Sequence, residues 1–90
     1  MGNHPSHQIG GNMSREEMVL QVKRYIEDIY RCTTISYKTA SDAMHNRTIA
    51  YGAMDFVVTL NGGYDEELAR WWNDEMVDKF NELIREKMSK

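Results

Sequence analysis

The only proline of this 90-residue chain is Pro5. Proline removes a backbone N–H and collides with the preceding turn, so the whole chain after position 5 is free to form long, uninterrupted helices. The distribution of apolar residues uses that freedom. Ser14-x-x-Glu17 fits a capping box, in which the serine hydroxyl accepts from the third helical amide and the glutamate bonds back to the cap. Met18, Val22, Ile26 and Ile29 then recur at helical spacing, widened by Val19, Tyr25 and Tyr30, while Lys23, Arg24, Glu27, Asp28 and Arg31 fall outside the stripe. A first helix is predicted over residues 14–32, ended by the β-branched and polar run Thr33-Thr34-Ile35-Ser36.

The second segment carries two stripes. Ala40, Ala43, Met44, Ala50, Tyr51, Met54, Val57 and Val58 form one, and Ile49, Ala53, Phe56 and Leu60 form another. Asn61-Gly62-Gly63 supplies a helix stop, because glycine accepts the left-handed conformation that follows a C-cap. A helix over 40–60 is the expectation. Its competitor is an α+β arrangement with a short hairpin inside 33–60, favoured by the β-branched run Phe56-Val57-Val58-Thr59-Leu60. A third helix over 65–87 follows from Leu68, Trp72, Met76, Phe80 and Leu83, with Val77 and Ile84 beside them. Short connections make sequential helices antiparallel neighbours, so the fold class is a small all-α three-helix bundle over 14–90, preceded by a flexible, Gly/Asn/Ser/His-rich tail over 1–13.

Trp71 and Trp72 are adjacent, and neighbours on an α-helix point about 100° apart. On a helical wheel Trp72 joins the arc of Leu68, Met76, Phe80 and Leu83. Trp71 is expected on the far side, among Glu67, Asp74, Asp78, Glu82 and Arg85. Asp74, Asp78, Glu82 and Glu86 step by four along that side, where like charges repel by roughly a few tenths of a kcal/mol per pair. An aromatic ring in an acidic strip suits a protein partner with a basic surface, so Trp71, Glu67, Asp74, Asp78 and Glu82 are the expected partner-binding residues. The doubly apolar second helix packs on opposite sides, either with both stripes covered by the first and third helices or with Ile49, Ala53, Phe56 and Leu60 forming a self-association seam, which also enlarges a core that is marginal at this length.

Catalytic and cofactor chemistry finds no motif. His4-x-x-His7 has no second ligand pair for zinc. Gly2-Asn3-His4 would chelate copper or nickel only with Met1 removed and the amine free. Asp42-x-x-His45 is a single, Asp-substituted copy of a pattern that di-metal bundles need twice. Cys32 is the only cysteine, so no intramolecular disulfide forms, and no histidine is placed to act as its base. Neither an enzyme, a metal nor a cofactor is expected. The formal net charge of −3 counts against phosphate neutralisation. A helix-turn-helix nucleic-acid regulator, using Lys23, Arg24, Arg31, Lys38 and Arg47, is therefore the alternative reading rather than the first. Met1-Gly2-x-x-x-Ser6 fits N-myristoylation, which makes a lipid-anchored adaptor a further alternative. No apolar run approaches the roughly 18 residues of a membrane span, and no signal-peptide pattern opens the chain, so the expected location is the cytoplasm. The sequence thus points to a non-enzymatic interaction or regulatory module, self-associating as a homodimer or other homo-oligomer.

Overall fold

The computed structural model describes residues 13–89; the expected tail up to residue 12, with its histidine pair, Gly2-Asn3-His4 and myristoylation pattern, lies outside them. Helix α1 spans Arg15–Ser36 and α2 spans Ala40–Leu60. The third helix, α3, is built of three continuous pieces: an α-helical start at Glu66–Trp71, a π-helical turn at Trp72–Met76 and an α-helical remainder at Val77–Met88. There is no strand among the described residues, so the three-helix bundle stands and the hairpin alternative within 33–60 is overturned. Phe56–Leu60 continues α2. The preference of β-branched residues for strands is a preference for a pleated neighbour, and here Val57 and Val58 pack on the helical core instead.

The ends follow local chemistry. Ser14 and Glu17 form the reciprocal capping box, with Glu17 N donating to Ser14 Oγ at 3.1 Å and Ser14 N to Glu17 Oε1 at 3.0 Å. Thr39 caps α2 by accepting from Asp42 N at 3.0 Å. Gly62 and Gly63 both take positive φ, 100° and 93°, and Gly63 N closes the end of α2 on Val58 O at 2.9 Å. One boundary differs from the expectation: α1 continues through Thr33–Ser36 instead of ending at 32. The threonines do not break it because their hydroxyls bond back into the helix, Thr33 Oγ1 to Ile29 O and Thr34 Oγ1 to Arg31 O, both at 2.6 Å. Thr33 is also fully buried, where Asn46 Nδ2 of α2 donates to its hydroxyl at 3.0 Å. That bond pins the extra turn of α1 to α2. Asn46→Ala is expected to cost about 1–2 kcal/mol, since it strips a buried hydroxyl of its donor, and hydrogen exchange is expected to rise first at residues 33–36.

The core is a single cluster: Val19, Val22 and Ile26 of α1, Ala50 and Met54 of α2, and Leu68, Trp71, Trp72, Met76 and Phe80 of α3. The spacing of the α3 set explains its π turn. Leu68, Trp72, Met76, Phe80 and Ile84 succeed one another by four, and on an ideal α-helix each such step overshoots a full turn by about 40°. Over the four steps the stripe would drift by roughly 160°, nearly to the opposite face. A π turn takes up one extra residue and returns the stripe by about 100°. All five residues are consequently buried.

Trp71 requires a correction. It is buried, 9% exposed against 5% for Trp72, and belongs to the same cluster. Three residues advance a helix by about 300°, which leaves Trp71 only about 60° from Leu68, on the flank opposite Trp72. The third helix lies against both others, and each flank meets a different one. Trp72 stacks edge-on against Tyr51 of α2, ring centroids 5.6 Å apart, and lies 6.1 Å from Phe80. Trp71 lies beneath Lys23 of α1, whose ammonium stands 5.6 Å from the ring centroid. Adjacent tryptophans are thus both core residues because α3 has two neighbours.

Candidate functional site

Glu67, one of the expected partner-binding residues, is half exposed and stands at the centre of a lock between the starts of α1 and α3. Its carboxylate accepts from Lys23 Nζ at 2.9 Å and from Arg15 at 3.0 Å. Arg15 also grips Asp65 in a bidentate pair, at 2.6 and 3.0 Å. The Asp65 side chain is only 2% exposed. It takes two further bonds, from Asn61 Nδ2 at 3.0 Å and from Leu68 N at 3.2 Å, the latter making it the N-cap of α3. Hydrogen bonding to Arg15 holds the Asp65 carboxyl below the usual carboxylate range against the opposing effect of burial. Lys23 first, and Arg15 second, lower Glu67 in the same way. These groups tie the start of α1 to the start of α3.

The rest of the expected acidic face is divided. Asp74, Asp78 and Glu82 are exposed, and Glu82 lies 3.6 Å from Arg85. Asp74 borders an open cleft of about 480 Å³ that is also lined by Lys23, Glu66, Glu67, Arg70, Trp71 and Glu75. Asp78 and Glu82 are not part of it. Trp71 is folded inward and meets this surface only as part of the cleft wall.

The apolar face lies elsewhere. Ile49, Phe56 and Leu60 are 41%, 63% and 56% exposed, and Ala53 is half-buried beside them. The fold therefore leaves the expected self-association residues uncovered, side by side on the flank of α2 nearest α1. From α1 come two residues whose spacing fits that helix's own core stripe: Met18, half-buried, and Tyr25, 52% exposed. The true core line of α1 is Val19, Val22 and Ile26. Measured from Ile26, Met18 and Tyr25 sit about 80–100° away, a displacement readable from spacing once the centre of the stripe is known.

These residues make one strip with two hollows. The first, about 340 Å³, is bounded by Met13, Met18, Tyr25, Ala53, Phe56 and Leu60, among others. The second, about 350 Å³, is bounded by Tyr25, Ile29, Cys32, Tyr37, Ile49 and neighbours, with Asp28 as its charged member. Tyr25 borders both. From Thr48 to Leu60 the only charged residue of α2 is Asp55.

The remaining candidates are scattered. Among the described residues no three His, Cys, Asp or Glu side chains gather as a metal site; His45 and Cys32 are both exposed. Of the cations considered for nucleic acid, Lys23 is paired with Glu67, Arg31 with Asp28, and Arg47 donates to Asn81 of α3, while Arg24 and Lys38 are exposed. No helix among the described residues is long and apolar enough to cross a membrane. No family model matches the chain, and neither the curated proteins nor the solved structures contain a match to it.

Proposed function

We propose that the protein is a non-enzymatic protein–protein interaction or regulatory module that works as a self-associated unit. The observation that carries this reading is the uncovered apolar strip formed by Ile49, Phe56 and Leu60 with Tyr25. At roughly 200 Å² for a large side chain, these four leave about 400 Å² of largely apolar surface in water. A standard interface takes about 800 Å² from each partner, somewhat over half of it apolar. The strip alone therefore provides most of the apolar share of such an interface. A helix that is apolar on several sides is one that packs on several sides, and among the described residues α2 has only α1 and α3 as helical neighbours.

Sedimentation equilibrium over a wide concentration range tests the reading. The expected result is a mass twice that of the monomer at the upper end, falling on dilution. A monomer mass throughout removes self-association. The exposed carboxylates Asp74 and Asp78, which pair with no cation among the described residues, favour a second use of the unit: recruitment of a basic protein surface on its outer side.

A further inference from the structure

The proposal above leaves open which surface of the second copy covers the strip; we infer that it is the same strip, turned end for end, so that two α1–α2 pairs form a four-helix layer with the α3 helices outside. This inference rests on the self-association reading and deepens it. Three features of the strip support it.

The first is self-complementarity. The two hollows are nearly equal, about 340 and 350 Å³, and lie on either side of Tyr25. A two-fold axis crossing the helices at Tyr25 sets the first hollow of each copy against the second hollow of the other, so that both copies use the same patch, as an isologous contact requires. On α2 the same axis falls at Ala53, midway between Ile49 and Phe56. Phe56 of one copy then enters the hollow beside Ile49 of the other, and the small Ala53 lets the backbones approach.

The second is charge. The strip has no sign by which to select a charged partner. Its one carboxylate, Asp28, lies toward the Cys32 end. Reversal places that carboxylate over the Gln21 end of the second copy, so the two aspartates do not meet.

The third is area. Doubling an apolar patch of about 400 Å² per copy, with half-buried Met13, Met18 and Ala53 and exposed Tyr37 and Cys32 at its edges, reaches the range of specific interfaces.

The geometry makes a chemical prediction. Cys32 lies seven residues after Tyr25 and Met18 seven before it, about 10 Å to either side along α1. With α1 reversed over α1, the two Cys32 thiols are about 20 Å apart, too far for a bond that needs Cα atoms within roughly 7 Å. Met18 of one copy, by contrast, lies over Cys32 of the other. Wild type treated with diamide is expected to stay monomeric on a non-reducing gel, whereas Met18→Cys gives a covalent dimer. Phe56→Lys and Leu60→Lys, both at exposed positions near a helix C-terminus that suits a cation, are each expected to raise the dimer dissociation constant about 30-fold or more, with helicity unchanged.

Every outcome separates the claims. A dimer that survives both lysine variants keeps self-association and overturns this face. A dimer lost in both, but with no cross-link in Met18→Cys, keeps the face and overturns the reversed arrangement. A ready cross-link between native Cys32 thiols overturns it as well. A monomer at all concentrations overturns this inference together with the proposed function.

Discussion

Asp65→Ala is expected to lower stability by about 3 kcal/mol, a Tm lower by roughly 15 °C for a domain of this size. The carboxylate caps α3, a contribution of about 1 kcal/mol, and hydrogen bonds to a charged group are worth about 1.5–3 kcal/mol. It is the meeting point of Arg15, Asn61 and Leu68, so its loss frees the start of α1, the α2–α3 turn and the start of α3 together. The pH dependence follows from the same contacts. Asp65 and Glu67 both have folded-state pKa values below their ordinary ones. The unfolded chain therefore binds more protons as acid is added, and the stabilisation is complete above the ordinary carboxylate range, lost as pH falls from about 4 through the depressed values. Asp65→Asn retains a capping oxygen while removing the charge. Its urea midpoint is expected to be lower than wild type at neutral pH and to converge with it in acid. Parallel acid limbs for the two proteins would show that Asp65 does not titrate as the lock requires.

Trp71→Ala is expected to cost about 3–4 kcal/mol, close to the loss for Trp72→Ala, as large aromatic truncations in a packed core do. A tryptophan on an open acidic face would behave differently, since surface substitutions usually fall within about 0.5 kcal/mol of wild type. Chemical denaturation of the two variants side by side decides between these cases. A near-neutral Trp71→Ala would remove the ring from the core and restore it as a candidate anchor. Given the small net stability expected of a domain this size, either alanine variant is expected to be substantially unfolded at 37 °C.

The contrast between the two tryptophans and the capping residues shows where sequence reading succeeds. Ser14, Glu17, Gly62 and Gly63 act on backbone groups within a few residues of themselves, and their roles were legible from spacing alone. Trp71 depends on something non-local. Its wheel angle gives a flank of α3, but whether that flank is wet depends on where α1 lies, and Lys23 is far away in sequence. The same holds for Glu67, whose partners Arg15 and Lys23 lie on another helix. Tyr25 and Met18 erred in the other direction. Apolar spacing admitted them to the α1 core, and only the placement of α2 and α3 selected Val19, Val22 and Ile26 as the line that is covered.

What the sequence by itself determined is the number of helices, the Ser14–Glu17 capping box, the glycine stop after the second helix and the presence of an unusual second apolar stripe at Ile49, Ala53, Phe56 and Leu60. Those features depend on periodicity and hydrogen bonds within one turn. Tertiary structure alone decided which stripes are covered. It admitted Trp71 to the core, extended α1 through the buried Thr33–Asn46 bond, and used a π turn at Trp72–Met76 to keep a stripe spaced by four facing inward. Angular drift is small per step and accumulates over a helix, so its correction appears only when a long helix must stay in contact with two others.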